Sequence, residues 1–248
     1  MTPQEAILLA PRLAEPMRAL TGATPAPLLP LGGRPLIEHA LDRLAAAGVR
    51  RVVINARINA PGQEERLARH LAARPGPPET VLRSEPALPD TGGAIAKALA
   101  AGALGPAPFF VVNGDILWLD GPRAALARLA ESFDPAKQDG LLLLHRCSQV
   151  EGEVERGEFF LDPLGRLRRR GEREVAPFIF AGLQIASPAL FEGAASGASD
   201  MALAWSRACE AGRLAGLVHD GLWFRLSTPA DLAAAESSLH ARATGRTR

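Results

Sequence analysis

The sequence predicts an α/β protein with a Rossmann-like, mostly parallel sheet flanked by helices, and three observations carry that expectation. Compact apolar runs alternate with segments of helical period up to about residue 145. Each run is bounded by turn or polar residues, and beyond residue 145 the regular alternation gives way to shorter apolar segments. Strands are expected at 6–10, 51–55, 80–84, 109–113 and 140–145, with helices at 35–47, 62–73, 92–101 and 122–132. In the first helix Leu36, Ile37, Ala40, Leu41 and Leu44 recur on one face, as a helix packed on a sheet requires. Strands joined by helical crossovers pair in parallel with right-handed connections, so ligands are expected beyond their C-terminal ends. In the second half, 158–161, 177–185, 213–218 and 222–226 read as strands and 188–192, 201–211 and 229–241 as helical. No long Pro/Gly/Ser linker divides the halves, so the second is read as a continuation of the sheet with a partly antiparallel extension over the site.

Composition narrows the function classes. A chain of 248 residues, 47% hydrophobic and 22% charged, is long enough for one large core. Its formal net charge of +1 gives no global field toward nucleic acid or an anionic membrane, so neither is expected as a partner. The first apolar run is too short for a signal segment or a membrane span, and a cytoplasmic location is expected. Cys147 and Cys209 lie far apart without metal-binding spacing and read as small buried hydrophobes. His39, His70, His145, His219 and His240 are scattered and read as structural or exposed. Lys97 and Lys137 are the only lysines, so arginine must do any phosphate work. The basic run at 166–173 reads as a solvated hairpin edge guarded by charge.

Three segments suggest chemistry. Asp90-Thr91-Gly92-Gly93 precedes a helix, where paired glycines allow a base or ribose to approach and the helix N-terminus offers free N–H groups. The strand at 109–113 runs into Asn113-Gly114-Asp115, which sets a carboxylate at the sheet's C-terminal edge, where a hard cation bridging phosphates would sit. After the first strand come Pro16-Met17-Arg18-Ala19-Leu20-Thr21 and Thr24-Pro25-Ala26-Pro27-Leu28, an arginine and a proline-framed loop. Pro11 and Pro16 in that loop carry no N–H, which removes phosphate donors where a glycine-rich loop would supply them.

The order and spacing of these segments resemble the sugar-1-phosphate nucleotidyltransferases over nearly the whole chain, most closely the N-acetylmuramate α-1-phosphate uridylyltransferases of cell-wall recycling, with mannose-1-phosphate guanylyltransferases next. The resemblance implies the nucleotide-diphospho-sugar transferase fold in one domain, 1–248, with a nucleotide-binding half at about 1–145 and a sugar-binding half at about 146–248. It implies catalytic roles for Arg18 and Asp115, with Asp115 also the metal ligand. Nucleotide contacts fall to Leu9, Ala10, Asp90, Thr91, Gly92, Gly93 and Asn113, and sugar contacts to Gly157, Glu158, Ala181 and Gly182. Three family positions are replaced: Pro16 stands for an arginine, Ala26 for a lysine, and Arg225, within Trp223-Phe224-Arg225-Leu226-Ser227-Thr228, for the second metal aspartate. The implied partners are a nucleoside triphosphate, UTP favoured, and a sugar 1-phosphate, with magnesium on a weakened site and a homodimer or partner enzyme left open.

Two readings follow. One is a transferase with a divergent, arginine-based site that moves a nucleoside monophosphate onto a sugar 1-phosphate and releases pyrophosphate. The other is a non-catalytic relative that binds a nucleotide, a sugar phosphate or a partner enzyme as a regulator or scaffold.

Overall fold

The computed structural model describes residues 2–10, 17, 24–58, 60–85, 91–150, 156–192 and 201–245. The first half contains strand β1 (Glu5–Ala10), a small hairpin of β2 (Pro30–Leu31) and β3 (Arg34–Pro35), helix α1 (Leu36–Ala46), β4 (Arg51–Arg57) and α2 (Gln63–Ala73). It continues through β5 (Glu79–Glu85), α3 (Thr91–Ala100), β6 (Phe109–Asn113), β7 (Ile116–Leu119), α4 (Ala125–Ser132) and β8 (Gly140–Arg146). The second half adds β9 (Phe159–Leu161), β10 (Leu167–Arg169), β11 (Phe178–Ala186), α5 (Met201–Glu210), β12 (Leu214–Val218), β13 (Leu222–Arg225) and α6 (Pro229–Ala243).

Nine strands form one mixed sheet. β5, β4, β1 and β6 lie side by side in parallel, as their helical crossovers require. β11 runs antiparallel between β6 and β8, and β12 pairs in parallel with β8. β9 pairs at the start of β11 and carries β10 outside it, both antiparallel. This is the expected mostly parallel sheet with a partly antiparallel extension. The two faces follow from the two-residue period of the strands. Ala6, Leu8 and Ala10 join the core under α1, α2 and α4, while Ile7 and Leu9 join the core under α3 and α5.

The segment at 222–226 departs from its expected place. It does not extend the main sheet; β13 pairs antiparallel with β7 in a separate two-stranded ribbon. β7 follows β6 after only Gly114 and Asp115, and the sequence predicts no element at 116–119. The ribbon has its own apolar support, because Leu31, Leu36, Leu117, Leu119, Leu226 and Ala235 form a small core between it, the β2–β3 hairpin and α6. A capping box at Thr228 and Asp231 starts α6.

Smaller corrections have local causes. The helix expected from 122 starts at Ala125, whose N–H donates to the Asp120 carboxylate at 2.8 Å. The helical expectation at 188–192 is a single 3-10 turn, Pro188–Phe191. Cys147 and Cys209 are free and only half-buried. The basic run does form an edge strand, β10, with Arg166, Arg168 and Arg173 exposed, and several of its arginines also bond to protein groups. Arg168 pairs with both oxygens of Glu174 and lies 4.1 Å from the Phe160 ring centre. Arg169 donates to the Ala202 carbonyl and the Ser206 hydroxyl, and Arg170 to the Gly157 carbonyl.

Candidate active site

The turn from β6 to β7 lies against the C-terminal end of β1 because residue 114 is glycine. The Gly114 N–H donates to the Leu9 carbonyl at 2.6 Å, and a Cβ at Gly114 would stand 2.8 Å from that same oxygen. Leu9 is in register with Asn113 on one side and with the fully buried Asn55 of β4 on the other. From β11, Gly182 closes on the turn with φ +79°, and a Cβ there would come within 2.8 Å of Ile116 Cδ1 and 3.2 Å of Asn113 Cβ. The neighbouring Ala181 carbonyl accepts a hydrogen bond from Trp223 Nε1 at 2.8 Å. Leu9, Asn113, Asp115, Ala181 and Gly182 are therefore brought together where β1, β6 and β11 meet, and β13 joins them.

Asp115 is the polar centre of this edge. Its Oδ1 is buried and has no hydrogen-bond partner. Burial pushes its carboxyl above the usual carboxylate range, opposed by its own backbone N–H and by the guanidinium of Arg225. The ribbon places that guanidinium: Arg225 is in register with Ile116, and the next residue, Leu226, donates its N–H to the Asp115 carbonyl at 2.8 Å. Arg225 is exposed, with its Cζ 5.6 Å from the Trp223 ring centre. Beyond Trp223 lies His145, 5.3 Å away between ring centres, and then His219 at 6.2 Å from His145. Burial holds both imidazoles below the usual histidine range. A cavity of about 350 Å³ beside them is lined by His145, Gln149, Leu222, Trp223, Phe224 and Ser238.

The described residues do not make up a resident magnesium site. Asp115 supplies one carboxylate with a free buried oxygen, but the position implied for the second carries the cation of Arg225. The flanking carboxylates along the chain are both engaged: Asp220 pairs with Arg128 at 2.8 Å, and Asp231 accepts the Ser227 and Thr228 N–H groups at the helix cap. Among the described residues no group of three or more His, Cys, Asp or Glu side chains is placed to hold a metal.

The residues implied for sugar contact fall into two kinds. Ala181 and Gly182 line the edge, whereas Gly157 and Glu158 are engaged in holding β9 to β11. Glu158 Oε2 accepts the Phe180 N–H at 2.7 Å. Gly157 has φ +64°, and a Cβ there would lie 2.1 Å from the Ala176 carbonyl oxygen. Thr91, Gly92 and Gly93 open α3, with the glycines buried and Thr91 exposed. Ala10 ends β1 in a buried position. Ala26 starts a short 3-10 turn and packs against Met17 and Leu29. Pro11, Pro16, Arg18 and Asp90 lie outside the described residues. Sequence reasoning missed the closeness that Gly114 provides and the joining role of Trp223. The Asn-Gly-Asp and Trp-x-Arg patterns carried those signals, but their partners lie far away along the chain.

Residues 14–217 match the MobA-like NTP transferase domain. The chain belongs to this NTP transferase family. The matched region ends before β13, so Arg225 lies beyond it. A Caulobacter vibrioides protein named N-acetylmuramate alpha-1-phosphate uridylyltransferase is 33% identical over 237 residues, covering 96% of this chain and 97% of that one. A Neisseria meningitidis serogroup B protein of the same name is 30% identical over 253 residues, covering 94% and 97%. Among solved structures, the inositol-1-phosphate CTP transferase from T. maritima superposes with a TM-score of 0.74 at 17% identity, covering 96% of this chain and 97% of that one. That likeness shows a shared nucleotidyltransferase fold, and the two uridylyltransferases agree with the resemblance carried by the sequence motifs. No described helix is long and apolar enough to cross a membrane.

Proposed function

We propose that this chain transfers UMP from UTP to a sugar 1-phosphate of the N-acetylmuramate type, releasing pyrophosphate, and does so slowly. The observation that carries the reading is the buried, unpartnered Oδ1 of Asp115 at the junction of β1, β6 and β11, beside Gly182 of β11. The two full-length uridylyltransferase relatives support the choice of base and sugar. The halves at about 1–145 and 146–248 act as one domain, the first binding nucleotide and the second the sugar.

In such a reaction the sugar phosphate attacks the α-phosphorus of the triphosphate, so catalysis consists mainly of alignment and charge neutralisation. Arg18 and Arg225 are the cations assigned to the phosphates, and Asp115 orients the groups that meet at the edge. Because one preorganised transition-state donor is worth on the order of 10²–10³ in rate, loss of the loop lysine at Ala26 and of the second carboxylate at Arg225 lowers turnover. Arg225 is also the observation that favours a second reading, a non-catalytic regulator or scaffold that binds nucleotide or sugar phosphate.

The test is pyrophosphate release from UTP with N-acetylmuramate 1-phosphate, set against mannose, glucose and N-acetylglucosamine 1-phosphates. Turnover below about 1 s⁻¹ is expected, and Arg225→Asp combined with Ala26→Lys raises it by more than the product of the single changes. No turnover in the parent or in the double variant favours the regulator. Turnover well above that rate shows a working variant site.

A further inference from the structure

Asp115, in the turn from β6 to β7, and Arg225, at the end of β13, lie at the same edge, and the combination is unlike a metal cage. A divalent cation between two carboxylates needs negative charge on both sides of the ion. Here one side is the buried carboxylate of Asp115, whose Oδ1 has no partner, and the other is a guanidinium. That guanidinium is exposed, and among the described residues no carboxylate lies within ion-pair distance of it. Its guanidinium carbon lies over the Trp223 ring, 5.6 Å from the ring centre. Trp223 is itself fixed to β11 by its hydrogen bond to the Ala181 carbonyl. The backbone bond from Leu226 to Asp115 fixes the end of β13 against the turn that carries the carboxylate. A guanidinium carries a permanent charge and five donors in a planar fork that matches phosphate oxygens.

We propose that this chain binds the triphosphate without a resident divalent cation, with the guanidinium of Arg225 taking the place at the phosphates that the cation and its second carboxylate would fill. The proposal rests on the nucleotide-binding reading above and deepens it. Electrostatics make the two arrangements alternatives. A cation bound at Asp115 would sit next to Arg225 and be repelled by it, whereas a phosphate there gains a charge-assisted hydrogen bond.

The experiment is calorimetric titration of UTP, CTP, GTP, ATP and dTTP into the full chain, once in EDTA and once in excess magnesium. The expected result is binding of at least one nucleotide with affinities in the two media within about twofold of each other. Arg225→Ala weakens that binding about tenfold in both media, a loss typical of one charge-assisted contact. Arg225→Asp binds poorly in EDTA and recovers at least fivefold in magnesium, and adding Asp115→Asn removes the recovery. Arg225→Gln, which keeps a polar side chain at this exposed position, serves as the second variant should the aspartate disturb folding, and it also weakens binding in both media. The proposal is overturned by parent binding that tightens tenfold or more with magnesium, or by unchanged affinity in Arg225→Ala and Arg225→Gln. Failure of the parent to bind any of the five nucleotides in either medium overturns the nucleotide reading itself and this proposal with it, a result distinct from magnesium-dependent binding.

Discussion

Two stretches of the same sheet edge treat their polar groups in opposite ways. Around Gly157 and Glu158 every notable group is engaged within the protein: the carboxylate accepts the Phe180 N–H, the Gly157 carbonyl accepts from Arg170, and the space of a missing Cβ is filled by the Ala176 carbonyl. Around Asp115 a carboxylate oxygen is buried with no partner and a guanidinium stands exposed beside it. A polar group that is satisfied internally stabilises the fold, while one left unsatisfied costs stability and is retained where a ligand completes it. The comparison separates residues that the family resemblance groups together: the polar groups of Gly157 and Glu158 are engaged within the protein, whereas Asp115 keeps a buried oxygen without a partner.

The largest effect tests the engaged stretch. Gly157→Ala places a methyl group against the Ala176 carbonyl in a left-handed backbone conformation. It is expected to destabilise the fold by about 3 kcal/mol or more, lowering Tm by about 6–12 °C for a chain of this size. A Tm within about 2 °C of the parent shows that β9 moves freely and that Gly157 is available to a ligand after all.

Glu158→Ala is next. It leaves the Phe180 N–H without its acceptor at the start of β11, so a loss of about 1–2 kcal/mol is expected in urea denaturation. Glu158→Gln keeps an acceptor and restores most of that stability. Equal loss in both variants points to the charge rather than the hydrogen bond.

Asp115→Asn has the smallest effect and the opposite sign. The folded-state carboxyl of Asp115 is raised above its usual 3.8, chiefly by burial, so the ionised form is the disfavoured one. The destabilisation it causes is absent in acid, where folded and unfolded chains are both protonated, and grows as pH rises through the folded-state value. The amide is therefore expected to stabilise the protein at pH 7, with the gain shrinking as the pH falls toward 4. A thermal melt series from pH 4 to 8 reads this directly. A gain that is independent of pH would trace the effect to packing and end the contrast with Glu158.

Much of the frame was legible in the sequence. β1, β4, β6 and β8 are compact apolar runs, the pattern of strands covered on both faces, while β5, with the sequence ETVLRSE at the sheet's edge, is half-exposed. α1 announces itself through Leu36, Ile37, Ala40, Leu41 and Leu44 on one face, five residues that all lie in the core. Asp115 was legible as well, since a carboxylate that ends an apolar strand after Asn-Gly has a defined place on a parallel sheet. β7 and the ribbon it forms with β13 were not legible, because pairing between residues more than a hundred positions apart leaves no local periodicity.

The sequence alone determined the α/β frame, the carboxylate at the end of β6 and the arginine standing where a second carboxylate is implied. Only the tertiary structure decided which polar groups remain free. Glu158 and Asp115 are both acidic residues next to apolar strands, yet one accepts a backbone N–H from β11 and the other keeps its buried Oδ1 without a partner. That outcome depends on the approach of distant strands to within hydrogen-bond distance, here set by Gly114 against Leu9 and by Gly182 against Ile116. Residue type fixes what a side chain is able to bond, and chain packing fixes whether a partner arrives.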